Sequence, residues 1–313
     1  MRCFILPKFR AGKTIVAGPV LLATMMISQV ASASTQRIEA TYDFVWKGML
    51  VSTAETVAQL DEEAYSLDVE MRMRGLAKLF VGGGKTTFSA RGFVGADGSI
   101  QPQEYKSSGK WRGNRYRESL RYDSTGKFIG FEKDWPEKWR AQNRRAPVPA
   151  ALQSGHDPAS VLLALMRQPI PVVSAESNEG SAVYKVFDGD TVIDWSMTCA
   201  VTPVIMDETK YSDTLGKAHE CQLHQTLVAG QRILTEKQKA KKARRLKKKR
   251  KKQKGNVDDG PLIVWMQAIE NGSYWLPVRA SVPSEKGIVK VYLTALETEG
   301  LAEGKNTYIT GSR

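Results

Sequence analysis

Tyr65-Ser66-Leu67-Asp68-Val69-Glu70-Met71-Arg72-Met73-Arg74 alternates apolar with polar residues along its whole length. Successive side chains of a β-strand point to opposite faces. The stretch therefore reads as a strand with Tyr65, Leu67, Val69, Met71 and Met73 on a dry side and the charged residues on a wet one. The pattern continues outward in both directions. Tyr42, Phe44 and Trp46 alternate with polar or small neighbours, and Tyr116, Leu120 and Tyr122 oppose Arg115, Arg117 and Arg121. Polar turns separate the runs at Asp61-Glu62-Glu63, Gly82-Gly83-Gly84, Ala96-Asp97-Gly98 and Asp123-Ser124-Thr125-Gly126. Parallel crossovers need a dozen residues or more, so connections this short predict an antiparallel meander.

One segment breaks the period of two. Ser154-Gly155-His156-Asp157-Pro158 leads into an apolar run from Ala159 to Gln168. Asp157 can accept from the free N–H groups of a first helical turn, and Pro158 suits the first helical position, where its missing donor costs nothing. Val161, Leu162, Leu163, Leu165 and Met166 leave little polar surface, so the helix is expected to be buried. Pro169 and Pro171 stop it. Strand patterns resume beyond it: Val183 to Phe187, Thr191 to Met197, Ala218 to Leu234, Leu262 to Ala268, Tyr274 to Val282 and Ile288 to Thr294. Asn271-Gly272 is a hairpin turn, because both residues tolerate positive φ. The expected class is mainly β: an antiparallel meander forming a curved sheet or an open, plugged β-barrel, with one central buried helix.

The N-terminus has the form of a secretory signal peptide. Arg2, Lys8, Arg10 and Lys13 precede an apolar core from Ile15 to Ile27, and Ala31-Ser32-Ala33 is a small-x-small cleavage site. The core is too short for a span of ~20 residues. Residues 1–33 are therefore expected to be removed, leaving 34–313 as one β-rich domain without a transmembrane span. Two cysteines remain after cleavage, Cys199 and Cys221, and in an oxidising compartment an isolated pair is most simply a disulfide. Closing that loop contributes about 3 kcal/mol in the chain-entropy model.

The net charge of +13 is concentrated in one place. Between residues 237 and 254 stand 13 basic residues: Lys237, Lys239, Lys241, Lys242, Arg244, Arg245, Lys247, Lys248, Lys249, Arg250, Lys251, Lys252 and Lys254. Setting aside these and the leader's four leaves 29 of the 46 basic residues against 33 acidic ones, a net of −4. Like charges this dense repel, so a disordered, extended basic insertion is expected at about 236–258. It lies between two sheet strands and is the candidate surface for anionic lipid or lipopolysaccharide.

No chemistry-bearing motif stands out. His219-Glu220-Cys221-Gln222-Leu223-His224 lacks the spacing of a helical zinc site, and no metal ligands are assigned. His156 beside Asp157 could form a proton-transfer pair, but helix capping accounts for Asp157. Gly82-Gly83-Gly84-Lys85 lacks the Walker spacing, and no Gly-x-Ser-x-Gly elbow occurs. Arginines and aromatics on opposite faces of 111–122 argue against nucleic acid, whose binders place both on one face. No catalytic residue and no cofactor is assigned.

Tyr42-Asp43-Phe44-Val45-Trp46-Lys47-Gly48, Gly75-Leu76-Ala77-Lys78-Leu79-Phe80, Lys110-Trp111-Arg112-Gly113, Asp157-Pro158 with its Leu-rich helix, Phe187-Asp188-Gly189, and Trp275-Leu276-Pro277-Val278-Arg279 follow one another in order. In that order they resemble the bacterial exported proteins catalogued as domain of unknown function 3108, over about Ile38 to Leu296. The resemblance implies a β-rich periplasmic protein of the Gram-negative envelope and transfers no activity. The lysine run departs from the family pattern. The expected function is non-enzymatic binding of an apolar, lipid-like envelope component or a partner protein. The alternatives are a structural scaffold tethered by its basic loop, or an envelope hydrolase, which would need His156 and acidic side chains converging in an open cleft.

Overall fold

The computed structural model describes residues 35–75, 84–111, 113–167, 172–173, 182–236, 238–240, 243–244, 261–269, 274–284 and 287–300. The leader, the Asn271-Gly272 turn and most of the lysine run lie outside them. Seven strands open the domain as an up-and-down meander: β1 (Gln36–Trp46), β2 (Met49–Leu60), β3 (Ala64–Met73), β4 (Lys85–Val94), β5 (Ile100–Trp111), β6 (Asn114–Tyr122) and β7 (Phe128–Asp134). A connector follows, with helix α1 (Glu137–Gln142), a 3-10 turn at Ala150–Leu152 and helix α2 (Ser160–Arg167). The second half comprises β8 (Val172–Val173), β9 (Ala182–Phe187), β10 (Val192–Ala200), β11 (Val204–Met206), β12 (Gly216–Ala229), β13 (Leu262–Ile269), β14 (Tyr274–Ser284) and β15 (Gly287–Glu299).

The fifteen strands of the described residues belong to one sheet, in the order β7-β6-β5-β4-β3-β2-β1-β15-β14-β13-β12-β10-β8, with β9 on β10 and β11 on β12. The first strand and the last are neighbours, paired from Arg37 opposite Glu299 to Trp46 opposite Val289. That ladder joins the two meanders. The pairing is antiparallel as expected, with one exception. Val172 and Val173 of β8 run parallel to Cys199 and Ala200 of β10. The chain between these two strands passes through β9 rather than a hairpin, and a connection of that length permits the parallel direction.

The alternation read in 65–74 is realised in burial. Tyr65, Leu67 and Val69 are buried, as are Leu120 and Tyr122 on β6, while Arg115, Arg117 and Arg121 are exposed. The helix is the other side of this core: Val161, Leu163, Ala164 and Leu165 are buried, and Leu162 faces out. It packs against both β5 and β14. These strands stand six places apart in the sheet order. In a flat sheet they would be separated by ~29 Å at ~4.8 Å per strand, and a helix is only ~10 Å across. The sheet is therefore curled around α2.

The curl brings its two ends together without a ladder between them among the described residues. Phe128 of β7 meets Phe187 of β9 edge-to-face, ring centroids 4.8 Å apart. Lys133 of β7 bonds Asp190 in the β9–β10 turn, lies 3.6 Å from Glu118 of β6, and sits 3.6 Å over the Trp135 ring. Gly189 (φ +87°) lies against the Phe131 ring, which is 2.6 Å from where its Cβ would stand. Side chains, not backbone hydrogen bonds, close the seam. The architecture is a curved sheet plugged by a helix and not a closed barrel.

The basic run starts where β12 overhangs. β12 pairs with β13 only as far as Leu223 opposite Leu262. Beyond Ala229 the chain turns, and Thr235 and Gln238 form a reciprocal capping box, each backbone N–H donating to the other's side chain at 2.9 and 3.3 Å. Glu236, Gln238 to Ala240, Ala243 and Arg244 are helical, which differs from the extended chain expected at this end of the insertion. Lys237, Lys241, Lys242, Arg245, Lys247, Lys248, Lys249, Arg250, Lys251, Lys252 and Lys254 lie outside the described residues.

Candidate functional site

The polar groups inside the curl are organised by the loop that precedes α2. His156 and its neighbours run beside β9: the His156 N–H donates to the Lys185 carbonyl at 2.9 Å, and the Phe187 N–H donates to the His156 carbonyl at 2.9 Å. Anchored this way, the loop delivers Asp157 to the helix start. Oδ1 accepts from the N–H groups of Ala159 and Ser160, both at 2.8 Å, and Oδ2 bonds the Ser160 hydroxyl. Asp157 and Pro158 thus begin the helix as the residue types predict. The Ser160 hydroxyl also meets the Tyr65 hydroxyl at 2.6 Å. A chain of three side chains therefore links β3 to the helix cap.

Asp157 is completely buried. Burial pushes its carboxyl up to about 6, because desolvation outweighs the bonds from Ser160 and Ala159. Burial likewise raises the phenols of Tyr65, Tyr105 and Tyr122, and Asp157 adds to each of these shifts. The Tyr122 hydroxyl is buried with no hydrogen-bond partner among the described residues. His156, in edge contact with Tyr184, is held by burial below its ordinary value. His156 and Asp157 are adjacent in sequence, but the carboxylate is spent on the helix N-terminus and the hydroxyl chain.

A second pair lies on the same inward side. Tyr184 of β9 and Trp195 of β10 are direct register partners, so their side chains share a face. Tyr184 belongs to the core and Trp195 packs against it. The Tyr184 hydroxyl and the Trp195 indole N–H are both buried with no partner among the described residues. Burial raises the Tyr184 phenol to about 12, so it is a donor at any physiological pH. Two unpartnered neutral donors on paired residues of one face are what a hydrogen-bond acceptor would meet there. The sequence contained no signal for this pair, because β9 and β10 align the two residues only once the hairpin register is set.

The remaining candidates separate in space. Cys199 and Cys221 stand opposite each other on β10 and β12, both buried, with Sγ atoms at a disulfide's bonding distance of 2.05 Å. His219 turns its Nδ1 to the Ala200 carbonyl at 2.9 Å and its ring to Trp275. Among the described residues no three His, Cys, Asp or Glu side chains converge on a point. A groove of about 500 Å³ lies on the outward side of β2 to β5, with Glu55, Glu70, Thr87, Lys106 and Ser108 among its walls. Its charges are mixed, and Lys85, then Arg72, holds the Glu70 carboxyl below its ordinary value.

A curled antiparallel sheet wrapped on one capped helix, with a cysteine pair at bonding distance on neighbouring strands, defines a β-rich protein whose chemistry is compatible with export. The chain belongs to the family described as Protein of unknown function (DUF3108), which it matches over residues 41–294. No curated protein and no solved structure matches it. No helix among the described residues is long and apolar enough to cross a membrane.

Proposed function

We propose that this chain is a periplasmic, non-enzymatic binding protein of the Gram-negative envelope. In this reading a cleavable leader exports it, and the inward face of β9 and β10 holds a lipid-like component. The pair formed by Tyr184 and Trp195 carries the reading. A buried donor left without a partner costs about 1–3 kcal/mol, and two paired residues here each carry one. An ester, carboxylate or phosphate oxygen on an otherwise apolar molecule would satisfy both. Among the described residues β7 and β9 meet through side chains, so admitting an acyl chain between them breaks no ladder joining those two strands.

The test is recovery of the exported protein followed by native mass spectrometry and solvent extraction. The expected result is a bound apolar species that is lost in Tyr184→Phe/Trp195→Phe, a variant that keeps the shape and removes both donors. Wild-type protein that carries nothing and takes up nothing from envelope lipid extracts would overturn the reading.

A second reading has its own observation. The lysine run leaves the fold from a capped helical start beside the free length of β12. There it serves as an electrostatic tether to anionic lipid or lipopolysaccharide, screened by salt. Deletion of 237–254 should abolish salt-sensitive binding to anionic vesicles, and undiminished binding would exclude the tether.

A further inference from the structure

We propose that the folded body carries a docking face of its own for an anionic phospholipid bilayer, built from the connector after β7 and the chain that leaves β12. The proposal rests on the tether reading and extends it from the lysine run to residues of the fold.

The two segments lie about ninety positions apart and are stitched together. Arg145 and Arg232 form an isolated antiparallel bridge. The Ala146 N–H donates to the Gln231 carbonyl, and the Ile233 N–H to the Arg144 carbonyl, both at 2.8 Å. Two guanidinium groups complete the junction: Arg145 donates to the Gly230 carbonyl at 2.9 Å, and Arg232 to the Gln142 carbonyl at 2.7 Å. Gln238, in the first turn of the basic run, reaches the same Gln142 carbonyl. Arg140, Arg144, Arg145 and Arg232 thus share one exposed corner with the start of the run.

The charge at this corner is uncompensated. None of the four arginines has a carboxylate within 4 Å among the described residues, whereas Arg72, Arg91, Arg121 and Lys106 on the sheet lie against acidic neighbours. Glu236 is engaged by Lys239 at 2.8 Å, Asp190, whose backbone lies against Gly230, is held by Lys133, and Glu137, one turn before Arg140 on α1, makes no ion pair with it among the described residues. Carbonyl hydrogen bonds orient the guanidinium groups without neutralising them, so the positive field remains available to an anionic partner.

Charge alone would suit any polyanion. The apolar side chains at the same corner select the bilayer. Leu227, Val228 and Ile233 are 44 %, 37 % and 46 % exposed. They flank the turn at Gly230, whose carbonyl Arg145 holds. Apolar side chains amid basic ones match the boundary of headgroup and acyl chain, where the former insert and the latter meet phosphate. A soluble polyphosphate would leave them in water.

The experiment uses the full mature chain in sedimentation with vesicles of neutral phospholipid, with and without phosphatidylglycerol, at low and high salt. Arg140, Arg144, Arg145 and Arg232 are changed together to Gln, or together to Lys, with the lysine run intact. Removing one near-surface charge weakens binding roughly fivefold, so the Gln variant should lose at least tenfold while the Lys variant keeps its binding. Both variants lose the guanidinium fork, so a folding defect would affect them alike, and equal loss in the two overturns the proposal. If the Gln variant binds as wild type and only deletion of 237–254 abolishes binding, the tether stands and this face falls. If wild-type protein does not bind, both fall. Ile233→Ser should weaken vesicle binding and leave binding to soluble polyphosphate unchanged; equal effects on both would overturn the assignment to a bilayer.

Discussion

The hydroxyl of Tyr65 on β3 lies 2.6 Å from the Ser160 hydroxyl in the first turn of α2, 95 residues later in the chain. Ser160 in turn bonds Asp157, so a strand of the first meander and the cap of the central helix share one buried polar chain. This contact sets the helix against the strand that first betrayed the fold.

Removing the two ends of that contact should not cost the same. Tyr65→Phe deletes a donor while Ser160 keeps Asp157, and should destabilise by about 1 kcal/mol. Ser160→Ala leaves the Tyr65 hydroxyl and an Asp157 oxygen unpaired in the core, and should cost about 2–3 kcal/mol. The double variant should cost less than the sum, since both act on one network. Urea unfolding of the four proteins measures the cycle.

The cap should make stability depend on pH with an unusual sign. Burial raises the Asp157 carboxyl from the ordinary range to about 6 in the folded protein. The group's contribution is thus fully present below pH ~4 and is lost as pH rises through 6. Glu70 acts in the opposite sense and Glu118, raised by burial, in the same one, so the comparison is with Asp157→Asn, which caps as well and does not titrate. Between pH 4 and 8 the wild type should lose about 3 kcal/mol relative to that variant. Asp157→Ala, which removes the cap itself, should be destabilised at both pH values by about 1 kcal/mol or more. Parallel curves for wild type and Asp157→Asn would refute the assignment.

The seam should resist even a methyl group. A Cβ at Gly189 would stand 2.6 Å from the Phe131 ring, with φ at +87°. At Gly113, φ is similar, +82°, and among the described residues nothing lies within 4 Å of such a Cβ. Gly113→Ala should therefore cost about 1 kcal/mol for backbone strain alone, and Gly189→Ala roughly 2–4 kcal/mol. Thermal unfolding in a Phe131→Ala background should reduce the Gly189 penalty towards the Gly113 value.

Loss of the cysteine pair should lower stability without altering the topology. Cys199 and Cys221 are 22 positions apart and already face each other across β10 and β12. Cys199→Ala/Cys221→Ala should lose about 3 kcal/mol. Urea unfolding with and without reductant should move the wild type alone.

The share of the molecule that was legible in its sequence is uneven for a physical reason. Strand identity follows from the period of two, which each segment carries by itself, so β3, β6 and the faces of Tyr65 or Arg121 were readable residue by residue. The cap was readable for the same cause: Asp157, Pro158 and the first turn are neighbours in the chain. The run at 237–254 announced its charge, but its helical start depends on one hydrogen-bonded turn, Thr235 to Gln238, within a segment where composition pointed the other way. The parallel pairing of β8 was missed because two residues carry no period.

Alternation, turn chemistry and capping are short-range, and they settled a mainly β chain with a plugged antiparallel sheet, while the alignment of Cys199 with Cys221 awaited the register of β10 and β12. Curvature is long-range. It required α2 to touch β5 and β14 at once, which no local pattern encodes. From that curl come the seam of Phe128 with Phe187, the unpartnered pair of Tyr184 and Trp195, and the corner that unites Arg145 with Arg232. Each joins residues whose adjacency depends on strand order and register, set by the packing of the whole sheet around one helix.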